Sequence, residues 1–275
     1  KNFIQLLNFS KKKKIDFLAS SFDEQSLSFL VDELKQKIIK IPSGEITNFL
    51  LLKKIDLKKS CVILSTGMSN IKEIIDAINV IAKKDVYKIF NKKVKIINKK
   101  VYKTINKKLF ILHCTTDYPV KDEYVNLNCL DKLKNDLNLE IGYSDHTQDY
   151  LTSVLAVTKN ARIIEKHFTL DKKLTGPDHI ASLNIKEFKK MVDSIRRVKI
   201  INGLNIKSLQ KCELKNIKVV RKSLVAKNDI KKGQKFDLKN LTSKRPANGI
   251  SPMFIKKIIG KKATKNFKKD QLIKI

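Results

Sequence analysis

Four cysteines in 275 residues, Cys61, Cys114, Cys129 and Cys212, stand far apart with no C-x-x-C pair. Neither a disulfide framework nor a cysteine zinc site is indicated, and the expected compartment is the cytoplasm. No apolar run approaches the ~18 residues that a membrane span requires, and residues 1–15 show no signal-peptide order of charged, apolar and small residues. Glycine is scarce, eight in all, and nowhere forms a G-x-G-x-x-G fingerprint, which argues against a dinucleotide-binding sheet. Acid is scarce as well, with 27 Asp plus Glu against 59 Lys plus Arg and a formal net charge of +32. That excess is mostly lysine, spread along the whole chain, and arginine is not interleaved with aromatics as a base-stacking platform needs. Nucleic-acid binding is therefore not the expected role. A solvated basic surface that draws in anionic substrates is.

What is present is a repeat of apolar strands and helices. IDFLASSFD reads as a strand closing on hydroxyl residues, with Asp23 as N-cap of the helix after it. IIKIPSGEI leads to a short helix around Phe49–Ile55, and CVILSTGMS leads to a helix whose Asn70 and Glu73 form a capping box before Ile71, Ile74, Ile75, Ile78 and Ile81. LFILHCTTDYP, LEIGYSDHT and ARIIEKHFT supply three more strands, and NIKEFKKMVDSIRRVK the last strong helix. These six strands are apolar until polar residues end them, as strands buried on both faces must be. The pattern predicts an α/β fold of the TIM type, a parallel β/α barrel with its site at the C-terminal strand ends, in preference to a doubly wound sheet. Eight strands close such a barrel and six are visible. The chain also opens inside a helix end without a methionine, as a fragment would.

Residues 1–200 are accordingly read as a partial barrel. Within it, 83–108 is a lysine-rich insertion with eleven lysines and one acid, expected to be solvated and partly disordered or loosely helical. Residues 201–217 read as a linker, and 218–275 as a small, mostly β domain near the lower size limit for independent folding.

The stretch Gly142–His179 holds three of the four histidines. Strand alternation puts Ser144 and His146 on one face and Asp145 on the other, which rules out a Ser-Asp-His triad. Glu165 and His167 likewise point together from the next strand. The two imidazoles can share a divalent metal or stand as two separate hydrogen-bonded histidines, and spacing does not choose. Lys40, Ser43 and Glu45 lie at another strand end, where a lysine among isoleucines needs an anion. With Ser20, Ser65 and Ser144 it can ring a phosphate or carboxylate. Asp178 sits on the glycine-proline turn beyond His167.

The motifs FLASSFD, KIPSGEI, LSTGMS, LHCTTDYP, GYSDHT, EKHFTLD, GPDHIAS and KRPANGI resemble, in order and spacing, those of the N-acetylneuraminate (sialic acid) synthase family of nonulosonic acid synthases. The resemblance covers nearly all of the chain outside the lysine-rich insertion. It implies an enzyme that condenses phosphoenolpyruvate with the open-chain aldehyde of an N-acetylated amino sugar and releases phosphate, made of a barrel and an antifreeze-like (SAF) domain that caps a partner's site in a homodimer. By the same resemblance His146 and His167 are ligands of a Mn²⁺ or Mg²⁺. Ser20, Lys40, Ser43, Ser65 and Ser144 contact phosphoenolpyruvate, Tyr118 and Asp178 contact the sugar, and Arg245 reaches the acetamido group from the partner. Glu45 and Glu165 are the candidates for charge or proton work. Thr116 stands where some members that make N-acetylneuraminate carry asparagine, so a legionaminic or pseudaminic acid synthase is the runner-up. The family's first two strands have no counterpart before Lys1, and the chain alone is expected to form an unclosed barrel. An inactive remnant or a basic binding protein is the reading outside this class.

Overall fold

Lys40 and Glu165 belong to opposite edges of one sheet, yet Lys40 Nζ lies 3.4 Å from Glu165 Oε1. In the computed structural model, which describes residues 2–275, the elements run α1 (Asn2–Lys13), α2 (Glu24–Ser28, continued by a wider turn to Glu33), β1 (Ile38–Ile41), α3 (Phe49–Lys54), β2 (Cys61–Ser65), α4 (Ile71–Ala82), β3 (Tyr87–Phe90), β4 (Lys93–Ile96), α5 (Lys99–Ile105), β5 (Leu109–His113), α6 (Asn128–Leu137), β6 (Glu140–Asp145), α7 (Leu151–Thr158), β7 (Ile164–Lys166), α8 (Ile185–Asn202), α9 (Leu214–Val220), β8 (Ser223–Ala226) and β9 (Leu241–Lys244). Strands β1-β2-β5-β6-β7 form a parallel sheet in that order. Four strand spacings separate its edges, about 19 Å if the sheet were flat, more than a lysine and a glutamate can bridge. The sheet is therefore curled, as a TIM-type barrel wall is.

Alternation along each strand divides the residues between the two sides of that wall. Ile39, Ile41, Val62, Leu64, Leu109, Ile111, Ile141 and Tyr143 pack with the helices in one apolar core. Their neighbours Lys40, Ser65 and Ser144 belong to the opposite, concave side, where Lys40 meets Glu165. The helices form where their caps say they should. Asn70 accepts from the Lys72 and Glu73 amides while Glu73 accepts from the Asn70 amide, and Ile74, Ile75, Ala77, Ile78 and Ile81 are the buried stripe of α4. Asn184 and Glu187 cap α8 in the same way. Asp23 caps α2 through the Ser26 amide.

Two expectations are corrected. IDFLASSFD is not a sixth strand, since the segment meets the sheet through one bridge, Ser20 with Lys40. The cause is Gln36, whose side-chain amide accepts from the Ala19 N–H at 3.0 Å and donates to the Ala19 and Ile38 carbonyls, standing where ladder bonds would be. The lysine-rich insertion is not disordered, and it is helical only over Lys99–Ile105. It folds as the antiparallel hairpin β3–β4 followed by α5, with Val86, Tyr87 and Ile105 buried in the main core. Asn79 of α4 anchors it, accepting from the Val86 and Tyr87 amides and donating to the Tyr87 carbonyl. Residues 201–217 contain the boundary between two units and some helix. The first unit ends at Gly203 and the second begins at Leu204, and Lys211–Glu213 and α9 are helical, started by a Gln210–Glu213 capping box.

The second unit has its own core, Leu224, Ala226, Ile230, Phe236, Leu241, Ile258, Ala263, Phe267 and Ile273. It is built on the antiparallel pair β8–β9 and on bridges from Ile230 to Phe267 and from Lys235 to Lys262. Among the described residues no helix is long and apolar enough to cross a membrane.

Candidate active site

Past their last apolar residues, β6 and β7 carry side chains on both faces of the wall. In register, Ser144 pairs with Glu165 and Asp145 with Lys166. On the concave face Ser144 Oγ donates to Glu165 Oε1 at 2.6 Å and stands 3.4 Å from His146 Nε2. Lys40, buried at 7 % exposure on β1, closes the group by its ion pair with Glu165. Its burial among isoleucines is thus met by a carboxylate.

Two residues further along lie the imidazoles of His146 and His167, with centroids 5.4 Å apart at 73°. Tyr118 packs over both, 4.2 Å from His146 and 5.5 Å from His167. His146 Nδ1 is 2.7 Å from the Thr115 carbonyl, so that nitrogen carries the proton and Nε2 presents a lone pair. Burial pushes the His146 imidazolium down, the Thr115 carbonyl opposes this, and His167 adds to it. Asp178 approaches His167 Nδ1 at 3.7 Å. Burial, followed by Cys114, Asp178 and Glu165, raises the Tyr118 phenol.

Among the described residues no three His, Cys, Asp or Glu side chains form a metal-binding group. Two imidazoles, one with its lone pair freed by a backbone carbonyl, fit as two ligands of an ion whose other positions are open to water or substrate.

A second cluster lies at the ends of β2 and β5 and the turn after β1. Ser43 Oγ accepts from the Gly67 amide at 3.0 Å and is 3.1 Å from Cys114 Sγ. Ser65 and Thr116 present buried hydroxyl oxygens that have no hydrogen-bond partner. Unpaired buried hydroxyls are costly and mark a place where another group completes them. Position 67 has no room for a side chain, because a Cβ there would meet Thr116 Oγ1 at 2.2 Å and Ser43 Oγ at 2.8 Å.

The remaining candidates are less integrated. Glu45 accepts from the Asn48 side chain at 2.6 Å. Ser20 is tied to Lys40 by backbone pairing, while its neighbour Ser21 carries a buried unpaired hydroxyl. Arg245 belongs to the second unit, where its Nε donates to the Val220 carbonyl. Sequence reasoning overlooked Gly67, Cys114 and Lys166. The last was accessible to it, since the argument that singled out Lys40, a lysine inside a buried strand, applies equally to Lys166.

Residues 1–207 match the NeuB family and residues 221–275 the SAF domain. The chain is 48% identical over 270 residues to N,N'-diacetyllegionaminic acid synthase of Campylobacter jejuni, covering 98% of this chain and 75% of that protein. It is 34% identical to pseudaminic acid synthase of the same organism, covering 96% and 71%. A crystal structure of N-acetylneuraminic acid (sialic acid) synthetase from Leptospira borgpetersenii in complex with citrate superposes with a TM-score of 0.64 at 32% identity, over 78% of this chain and 68% of that one.

Proposed function

This chain belongs to the NeuB family of nonulosonic acid synthases and carries a SAF domain, and from that premise we propose that it joins phosphoenolpyruvate to an acetamido-sugar aldehyde, with release of phosphate. The higher identity to a legionaminic than to a pseudaminic acid synthase favours N,N'-diacetyllegionaminic acid as product. The sugar is then the corresponding diacetylated 6-deoxy aldehyde rather than N-acetylmannosamine.

The observation that carries this reading is the meeting of Lys40, Ser144 and Glu165 beside the His146–His167 pair. Lys40, Ser43, Ser65, Ser144 and Ser20 supply one ammonium and four hydroxyls for a trianionic substrate, and the unpaired Ser65 oxygen gains a partner when that anion arrives. Tyr118 and Asp178 face the sugar, and Thr116 stands beside its path. Glu165, within reach of Ser144 and Lys40, takes the proton of the water that adds to the cationic carbon left by condensation. Glu45, bonded to Asn48, serves charge balance. A Mn²⁺ or Mg²⁺ on His146 and His167 would supply Lewis acidity against the negative charge growing on the aldehyde oxygen. Arg245 is assigned to the acetamido group of the sugar in a partner subunit's site, which makes the working unit a homodimer.

The test is phosphate release from phosphoenolpyruvate with the diacetylated 6-deoxy sugar, with N-acetylmannosamine and with no sugar, each in Mn²⁺ and in EDTA. Release that requires an acetamido sugar, together with a nine-carbon acid in the mass spectrum, is the expected result. Release without any sugar, or none with either, overturns the reading.

A further inference from the structure

Behind the imidazoles, on the opposite face of the same two strand ends, lies a charge pair with no access to water. The side chains of Asp145 and Lys166 are both 0% exposed, with Nζ 3.2 Å from Oδ1. The carboxylate is saturated with donors. Oδ1 accepts from the Thr147 amide and hydroxyl, each at 2.8 Å, and Oδ2 from Thr152 Oγ1 at 2.8 Å and Ser153 Oγ at 2.5 Å. Lys166 Nζ also donates to the Thr147 carbonyl. The network therefore ties together the end of β6, the turn after it, the first residues of α7 and the end of β7.

An apolar pair would fill this space without the cost of desolvating two charges, so stability alone does not explain it. Directionality does. Asp145 and Lys166 are cross-strand partners, and the residues that follow them are His146 and His167. Fixing the first pair by directed bonds fixes the backbone from which both imidazoles project, whereas apolar packing tolerates small slips. Because Thr147 donates to Asp145 and accepts from Lys166, the backbone just beyond His146 is held as well.

We propose that the Asp145–Lys166 pair is a positioning clamp that sets the separation and orientation of the His146 and His167 rings. The proposal rests on the reading of those histidines as a metal-binding pair.

The test uses Lys166→Met and the neutral double variant Asp145→Asn/Lys166→Met, first checked for cooperative unfolding. Mn²⁺ affinity is then measured by electron paramagnetic resonance, and ring tautomers by ¹⁵N-histidine NMR. The clamp predicts folded variants with Mn²⁺ bound 10- to 100-fold more weakly and with His146 no longer confined to its Nδ1–H tautomer, while the KM for phosphoenolpyruvate stays within a few-fold of wild type. A folded neutral variant with wild-type Mn²⁺ affinity and wild-type ring spectra overturns it. If the wild-type protein takes up no Mn²⁺, the metal reading falls and the ring spectra alone decide the clamp. Should both charge variants fail to fold, Ser153→Ala removes one donor from Asp145 and keeps both charges. A weaker change in the same direction is then expected, and unchanged rings and affinity overturn the proposal.

Discussion

The Cβ that position 67 lacks would lie 2.2 Å from Thr116 Oγ1 and 2.8 Å from Ser43 Oγ. Gly67 thus lets its own amide reach Ser43 Oγ at 3.0 Å. Gly67→Ala is expected to cost about 1–3 kcal/mol by overpacking and to raise the KM for phosphoenolpyruvate, because Ser43 must give way. Thr116→Ala introduced alongside it removes the closest conflict and should recover part of the lost stability. Chemical denaturation of the single and double variants checks this, and an unchanged midpoint in Gly67→Ala would show that the cluster is loosely packed.

Glu165 accepts from Ser144 and pairs with Lys40. Glu165→Gln keeps the shape and removes the charge, so it leaves Lys40 without its counter-ion and the added water without a base. Phosphate release should drop by about 10²- to 10⁴-fold, with the folded state retained. Glu45→Gln should lose far less, because Glu45 is turned toward Asn48. Equal losses in the two variants would remove the division of labour between the glutamates.

The strand ends were readable because alternation is rigid. Residues two apart share a face, and this alone paired Ser144 with His146, separated Asp145 from them, and put Glu165 beside His167. The Asn70–Glu73 capping box was readable for the same local reason. What escaped depended on groups distant in sequence. IDFLASSFD has the composition of a strand, and nothing in it shows that Gln36 occupies its ladder positions. In the lysine-rich stretch, Tyr87, Ile89, Val94 and Ile96 do alternate with lysines, but eleven lysines hide that pattern in any average over the segment. Gly67 gave no local signal, since its role is the space it leaves for Thr116.

Asn79 makes three hydrogen bonds to the backbone of Val86 and Tyr87. Asn79→Ala leaves those groups unpaired next to a buried tyrosine, at a cost of about 1–3 kcal/mol. The loss should appear locally, as faster amide exchange over residues 86–97 and easier tryptic cleavage between Lys88 and Lys95, with the sheet amides of β5 and β6 little changed. Wild-type protection in the variant would mean that the apolar face of the hairpin holds it without Asn79.

His113 offers a pH test outside the candidate site. It is 8% exposed, its ring lies against Tyr143, and its Nε2–H donates to the Val125 carbonyl at 2.8 Å. Burial lowers its pKa below the ordinary histidine value of 6.5, with the Val125 carbonyl opposing. In the unfolded chain the ring titrates near ~6.5. As pH falls below that value, the unfolded state binds a proton that the folded state does not yet accept, so stability declines until the lowered folded pKa is reached. The slope is at most about 1.4 kcal/mol per pH unit from this group. His146 is depressed as well and contributes with the same sign, so the difference between wild type and His113→Gln isolates the His113 share. Urea midpoints at pH 7.5, 6.5 and 5.5 should fall more steeply for wild type than for His113→Gln. Parallel lines would place the acid sensitivity elsewhere, whereas convergence toward low pH would assign it to the ring beneath Tyr143.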